Sequence, residues 1–241
     1  MGSANKAVPI AESASKQQLL ADFPESISAR KGPSGFGKFI TRVVSTRPRC
    51  ERFNIEFIPR QLILDQRMSQ RYPQPSANFR EPAALDWLHA ISESNGILSA
   101  ILAVIHPKLY DAGWKATEYL GNTPETGAKE LLDGWASVFS GVSVISNRIT
   151  TPHRDVNSRA NWYDILVTLG PYENCDLKLP GLGISLEYGP GTVVGISGKV
   201  LEHAVPSFKG DRVCYAYFMR NNVHEWAKIA GKDWMETSYY K

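Results

Sequence analysis

The chain has 241 residues, 43% of them hydrophobic and 21% charged, with a formal net charge of +3. That length suits one large domain, and that composition can bury a sizeable core, which excludes a chain disordered throughout. The longest apolar run, Ile97 to Ile105, is broken by Ser99 and stops at His106-Pro107. It falls well short of the roughly 20 residues of a membrane-spanning helix, so a core helix is expected.

Residues 1–35 read as a flexible N-terminal appendage, with a short helical candidate over Ser15 to Asp22 and the turn-rich Lys31-Gly32-Pro33-Ser34-Gly35. No apolar stretch or cleavage site of a signal peptide stands there, so an intracellular protein is expected. The remainder, 36–241, reads as a single domain. Phe53 to Leu64 has strand-like Ile and Phe pairs, and Tyr72-Pro73-Gln74-Pro75-Ser76 reads as an irregular loop. Glu81-Pro82 opens a helix with Leu85, Leu88 and Ile91 on one face and Asn95-Gly96 at its end. A second helix is expected from about Ile97 to Asp111. From Ser137 the chain turns to short β-rich runs punctuated by Gly and Pro: Val138 to Ser146, Trp162 to Leu169, Asp176 to Leu179, Gly183 to Glu187, Thr192 to Ile196 and Arg212 to Met219. Such spacing predicts a barrel or sandwich and not alternating βαβ units. The expected fold is α+β: a double-stranded β-helix (jelly-roll) core with supporting helices packed on one face.

Three cysteines, Cys50, Cys175 and Cys214, have no paired spacing, so neither a disulfide framework nor a zinc site is expected. Charge is uneven along the chain. Residues 30 to 80 hold eleven Lys and Arg against Glu51, Glu56 and Asp65, a net +8, while the rest carries −5. A surface of that sign attracts phosphate backbones, which makes a nucleic acid a candidate partner, with Arg47, Arg49 and Arg52 as backbone contacts.

His153-Arg154-Asp155, followed 48 residues later by His203 and nine after that by Arg212, is the most informative pattern. Two imidazoles and one carboxylate occupy one face of a non-haem Fe(II) ion and leave the other face open for chemistry. A fixed guanidinium fork such as Arg212 suits the distal carboxylate of 2-oxoglutarate. His153 and Asp155 are expected at the end of a loop between two strands, pointing the same way by i, i+2 alternation, with His203 brought opposite. Even spacing also puts Arg212, Cys214, Ala216, Phe218 and Arg220 on one strand face, and Arg148 is a further candidate for the same pocket. His89, His106 and His224 read as structural. His-Arg-Asp also opens the protein-kinase catalytic loop, but that motif needs Asn five residues after the Asp, where this chain has Ala160. The kinase reading fails.

Thr151-Pro152-His153-Arg154-Asp155, the run Trp162 to Leu169, His203-Ala204-Val205-Pro206 and Gly210-Asp211-Arg212-Val213 together resemble the TET/JBP nucleic-acid-base dioxygenases, and among them the short fungal branch. The resemblance is clear over about 137–227, the expected metal-binding core, and loose over the N-terminal half. It implies that His153, Asp155 and His203 hold Fe(II), that Arg212 binds 2-oxoglutarate with help from Arg148, and that O2 is consumed. It further implies a methylated base in double-stranded DNA as substrate, and a nuclear address follows from that substrate; a monomer is expected. Where characterised relatives carry a carboxylate or amide after the metal Asp and a His near the end of the last strand, this chain has Ser158, with Asn157 beside it, and Arg220. Asn78 is a further candidate base contact. These departures leave 5-methylcytosine oxidation and N6-methyladenine demethylation both open. A dioxygenase acting on a small molecule or protein side chain is the first alternative, and a non-catalytic DNA-binding module with a vestigial metal site the second.

Overall fold

The computed structural model describes residues 51–59, 73–75, 82–156, 158–230 and 232–240. The appendage, the helical candidate at Ser15 to Asp22, and Arg47, Arg49, Cys50, Asn78 and Asn157 lie outside the described residues. The core is two facing antiparallel sheets. The larger has the order β2-β1-β3-β12-β5-β9, from β1 (Glu51–Pro59), β2 (Pro73–Pro75), β3 (Gly141–Ser146), β5 (Asp164–Leu169), β9 (Val193–Ile196) and β12 (Val213–Phe218). The smaller has the order β4-β10-β7-β8, from β4 (Thr150–His153), β7 (Asp176–Leu179), β8 (Ile184–Glu187) and β10 (His203–Val205). A third, two-stranded piece pairs β6 (Tyr172–Glu173) with β11 (Lys209–Gly210).

This is the expected double-stranded β-helix, and each predicted strand from 138 onward is present with its ends trimmed by a few residues. One prediction changes near the edge. The Tyr72–Ser76 stretch contains β2, which tolerates two prolines because it is an edge strand that pairs, among the described residues, with β1 alone. The strand expected to reach Leu64 is described as far as Pro59.

Helices α1 (Pro82–Ala90), α2 (Ser92–Ile105), α3 (Pro107–Gly121) and α4 (Lys129–Trp135) precede the main β region, and α5 (Asn221–Trp226) follows it. Asn95-Gly96 does not end a helix, as its turn chemistry suggested, but lies inside α2. The break comes instead at His106-Pro107. Proline cannot continue a helix but is pre-set for the first position of the next, and His106 caps that next helix by accepting the Leu109 N–H on Nδ1 at 3.2 Å. Helix α3 extends ten residues past the expected Asp111. Its buried stripe, Leu109, Ala112, Gly113, Ala116 and Leu120, is built mostly of small residues, so its apolar signal is faint.

The helices cover one face of the larger sheet. Trp87, Leu88, Leu98, Leu102, Leu109, Leu120 and Trp135 pack against Val142, Val144, Ile165, Tyr215 and Tyr217 in one apolar cluster. One buried polar chain runs through this layer. Tyr217 Oη donates to Asn95 Oδ1 at 2.7 Å, Asn95 Nδ2 donates to the Trp135 carbonyl at 2.8 Å, and Trp135 Nε1 donates to the Phe139 carbonyl at 2.8 Å. Both side-chain polar atoms of Asn95 therefore have a partner in the core. Tyr217→Phe strands the Asn95 oxygen and is expected to lower stability by about 1–3 kcal/mol, read as a drop in Tm. An unchanged melting curve would contradict this account of Asn95.

Strand β12 has one buried face and one half-buried face. Tyr215 and Tyr217 point to the helices, while Cys214, Ala216 and Phe218 line a cavity between the two sheets. That second face is the one expected to look into the barrel.

Candidate metal centre

The cavity holds about 460 Å³ and is walled by Ser143 and Ile145 of β3, Asp164 and Leu166 of β5, the inner face of β12, and Leu177, His203 and Val205 of the smaller sheet. His153 and His203 are antiparallel partners in the β4–β10 pair, so their side chains stand opposite each other, with ring centroids 4.4 Å apart. His153 does not end a loop, as had been expected, but closes the short strand β4, and His203, expected opposite it, opens β10. Asp155 lies just past β4, so strand alternation does not aim it. Its backbone N–H donates to the Gly198 carbonyl at 2.8 Å, and this tie turns its carboxylate toward the two imidazoles. Asp155 Oδ2 lies 3.7 Å from His203 Nε2 and Oδ1 lies 4.0 Å from His153 Nε2.

Three donor atoms, one from each residue, fall within 4.8 Å of one another, a spacing that an ion bonded at roughly 2 Å to each would draw together. The hydrogen bonds behind the rings agree with that use. His153 Nδ1 donates to the Thr151 carbonyl at 2.8 Å and His203 Nδ1 to the Leu201 carbonyl at 3.0 Å. A carbonyl only accepts, so each Nδ1 carries the proton and each Nε2 lone pair faces its neighbours, as a metal ligand requires. The donor set fits iron in the facial arrangement of two histidines and one carboxylate.

Gly198 stands directly behind this centre. A Cβ added there would land on Asp155 Oδ2 and press on the rest of that carboxyl group. Gly198→Ala is expected to weaken metal binding by about 10- to 100-fold, measured by anaerobic Fe(II) titration, because Asp155 must turn away. Unchanged affinity would show that the carboxylate has room to spare.

Arg212 precedes β12 and is 3% exposed. Its backbone is clamped by Asn147, which donates its N–H to the Arg212 carbonyl and accepts the Arg212 N–H on Oδ1, both at 2.8 Å. Asn147 holds a left-handed turn at φ 49°, a conformation Asn tolerates well. Asp211 does not pair with Arg212: its carboxylate accepts from Asn147 Nδ2. The guanidinium sits among three rings, 5.0 Å from Tyr188, 5.7 Å from Phe208 and 5.9 Å from Tyr172, and Nε has no hydrogen-bond partner. Burial works against its charge, but Cys214, Tyr188, Cys175 and Tyr172 outweigh it and hold the pKa above the ordinary value. No carboxylate pairs with it among the described residues. A buried cation in this condition calls for an anionic ligand, and a dicarboxylate meets the need.

Arg148, Ser158 and Arg220 also line the cavity. Ser158 Oγ donates to Asp164 Oδ2 at 2.8 Å, and the Arg220 guanidinium lies 4.6 Å over the Phe218 ring. Arg52 lies in β1, opposite Ile145 of β3. Of the three histidines read as structural, His106 caps α3 and His89 is exposed in the last turn of α1. His224 is in α5, where burial, helped by Arg159, pushes its pKa down to about 4. Cys175 and Cys214 are free and buried.

The sequence reading missed Asp164 and the rings around Arg212. Asp164 opens β5, is 7% exposed and lines the cavity. Burial pushes its carboxyl up to about 7; Ser158 opposes the shift and Asp155 adds to it. The available signal was a carboxylate at the head of the apolar run Ile165-Leu166-Val167. Alternation places it on the same face as Leu166.

Among solved structures, NgTET1 in complex with 5mC DNA matches with a TM-score of 0.52 at 15% sequence identity, covering 95% of this chain and 75% of that one. At that identity the likeness shows the fold. No curated protein matches the sequence. Residues 69–221, which include both histidines, Asp155 and Arg212, match the Tet_JBP family model, described as the oxygenase domain of the 2OGFeDO superfamily. With that stretch spanning more than half of the sequence, the chain belongs to the TET/JBP oxygenase family of 2-oxoglutarate- and iron-dependent dioxygenases.

Proposed function

We propose that the protein oxidises the methyl group of a methylated base in DNA, with His153, Asp155 and His203 holding Fe(II) and Arg212 holding 2-oxoglutarate. The observation that carries the oxygenase reading is a buried guanidinium without a carboxylate partner among the described residues, in the same cavity as a two-histidine, one-carboxylate cluster. When bound, iron with 2-oxoglutarate and O2 supplies oxidation of an unactivated C–H bond, with 2-oxoglutarate leaving as succinate and CO2.

The chain's own residues do the positioning. Thr151 and Leu201 fix the imidazole tautomers through their carbonyls, and Gly198 fixes Asp155. Arg212 pairs with the far carboxylate of 2-oxoglutarate, and Tyr172, Tyr188 and Phe208 exclude water from that pair, which strengthens it. Arg148 assists from the cavity rim. DNA as substrate is supported by the family and by the +8 of residues 30 to 80, where Arg47, Arg49 and Arg52 are proposed to meet phosphates. A narrow cavity between two sheets takes a single base and not a duplex, so the base is extruded from the stack to reach it. Ser158, Arg220, Asn157 and Asn78 are the proposed base contacts.

The test is nucleoside mass spectrometry after incubation with Fe(II), 2-oxoglutarate and duplexes carrying 5-methylcytosine or N6-methyladenine, beside a His153→Ala control. Oxidised or demethylated product absent from the control is expected, and it names the base. Succinate without any base product would move the activity to a small molecule or a protein side chain.

A further inference from the structure

The smaller sheet ends on β8, which pairs with β7 on one side and, among the described residues, with nothing on the other. All four of its residues are exposed. Cross-strand partners share a face, so Ile184 and Leu186 lie on the inner, apolar face beside their partners Leu179 and Leu177. Those two leucines are buried, at 7% and 1% exposure, whereas Ile184 and Leu186 are 43% and 41% exposed. The larger sheet therefore stops short of β8 and leaves a strip of apolar surface along a row of open backbone N–H and C=O groups. Soluble proteins guard such edges with proline, lysine or a bulge. Prolines stand in the edge strands β2 (Pro73, Pro75) and β4 (Pro152), but β8 reads Ile-Ser-Leu-Glu in unbroken register with β7.

What covers an open edge is another strand, and β8 is complementary to itself. We infer that two copies of the chain associate about a two-fold axis at Ser185, pairing β8 with β8 antiparallel, and so form a dimer where the sequence led us to expect a monomer. In that register Ile184 of one copy stands opposite Leu186 of the other, twice over, and the apolar strip becomes continuous across the axis. Ser185 meets Ser185 on the outer face, and Glu187 falls opposite Gly183, so no like charges are brought together. The register one residue along sets Ile184 against Glu187 and Ser185 against Leu186, which puts apolar and polar side chains on the same face. The two smaller sheets join into one. Because each larger sheet stops short of β8, the larger sheets do not collide. No residue of β8 lines the metal cavity, so both cavities stay open.

The experiment is sedimentation velocity of the full chain over a concentration series from about 1 to about 300 µM. A contact built on one short strand lies at the low end of protein interfaces, so a Kd on the order of 10 µM is expected. The sedimentation coefficient should climb from that of a monomer to that of a dimer across the series. Ile184→Lys sets a charge on the strip at a position already in contact with solvent. It should keep the wild-type Tm and stay monomeric throughout. The axis is tested separately, in a Cys50→Ser background. Ser185→Cys places two thiols directly opposite each other, with Cβ atoms about 5 Å apart, so a short bis-maleimide should link most of the protein into dimers at the top of the range. Leu182 is also exposed but lies three residues from the axis, about 20 Å from its counterpart, and Leu182→Cys should link far less. A wild type that stays monomeric at the highest concentration overturns the inference. So does an Ile184→Lys variant that dimerises as well as wild type, or cross-linking no stronger at position 185 than at 182. None of these results bears on the oxygenase reading, which stands or falls by its own test.

Discussion

His203→Ala is expected to remove Fe(II) binding at micromolar metal and to reduce succinate formation below detection. His203 is the buried member of the cluster, with its side chain 9% exposed, whereas the side chains of His153 and Asp155 are 34% and 48% exposed. Without it, two partly solvated groups on one short segment remain, and neither has a partner across the sheet to hold the ion. The loss can be read without turnover. A metal that binds only the folded state raises Tm in proportion to the logarithm of its concentration over Kd, so wild type should melt higher with added Fe(II) under anaerobic conditions. The variant should melt at one temperature with or without it. Retained stabilisation by metal in His203→Ala would mean that the ion sits elsewhere.

Arg212→Met is expected to raise the KM for 2-oxoglutarate by two to three orders of magnitude. Breaking a buried charge pair from one side costs roughly 3–5 kcal/mol, and each 1.4 kcal/mol is a factor of ten. The same substitution should leave the ligand-free protein as stable as before, or raise its Tm. In the absence of ligand the guanidinium is a buried charge whose Nε is unpaired and whose neighbours are aromatic, and methionine fills that space without a charge to desolvate. The opposite signs of the two effects separate a ligand-binding role from a structural one. Arg212→Lys should recover only part of the affinity, since an ammonium cannot reproduce the two-pronged geometry of the guanidinium. If Arg212→Met destabilises the ligand-free protein and leaves the KM alone, the arginine is a packing residue.

The metal cluster was legible in the sequence because its ligand types are rare in combination and its spacing agrees with a β-rich context. Arg212 was legible because strand alternation ties it to Cys214, Ala216 and Phe218, and that face does line the cavity. The reason Asp155 points at the histidines was not legible. It comes from a backbone hydrogen bond to Gly198, 43 residues away, and no local pattern encodes such a contact. Asn95-Gly96 misled for a related reason. Asn has a local preference for turns, but here Tyr217, which is 122 residues away, supplies the donor that lets it sit inside a helix. Asp164 was passed over because a carboxylate at a strand end usually faces solvent, and only the closure of the second sheet over β5 buries it.

The position of β12 governs the order in which this protein can be completed. Its neighbours β3 and β5 are separated in the chain by β4 alone, yet they do not pair with each other; the last strand of the sequence lies between them. A nascent chain that has made residues 51 to 210 therefore has His153, Asp155 and His203 in hand but a larger sheet split in two, with bare edges on β3 and β5. Insertion of β12 joins the halves, delivers Arg212 to the cavity and brings Tyr217 to Asn95 in one event. Such late, long-range pairing is slow, because the loop it closes is long and the reward arrives only at the end. Until then the open edges are templates for any other strand that comes near. Yield on expression should thus depend more on how fast this strand docks than on the strength of any contact made before it.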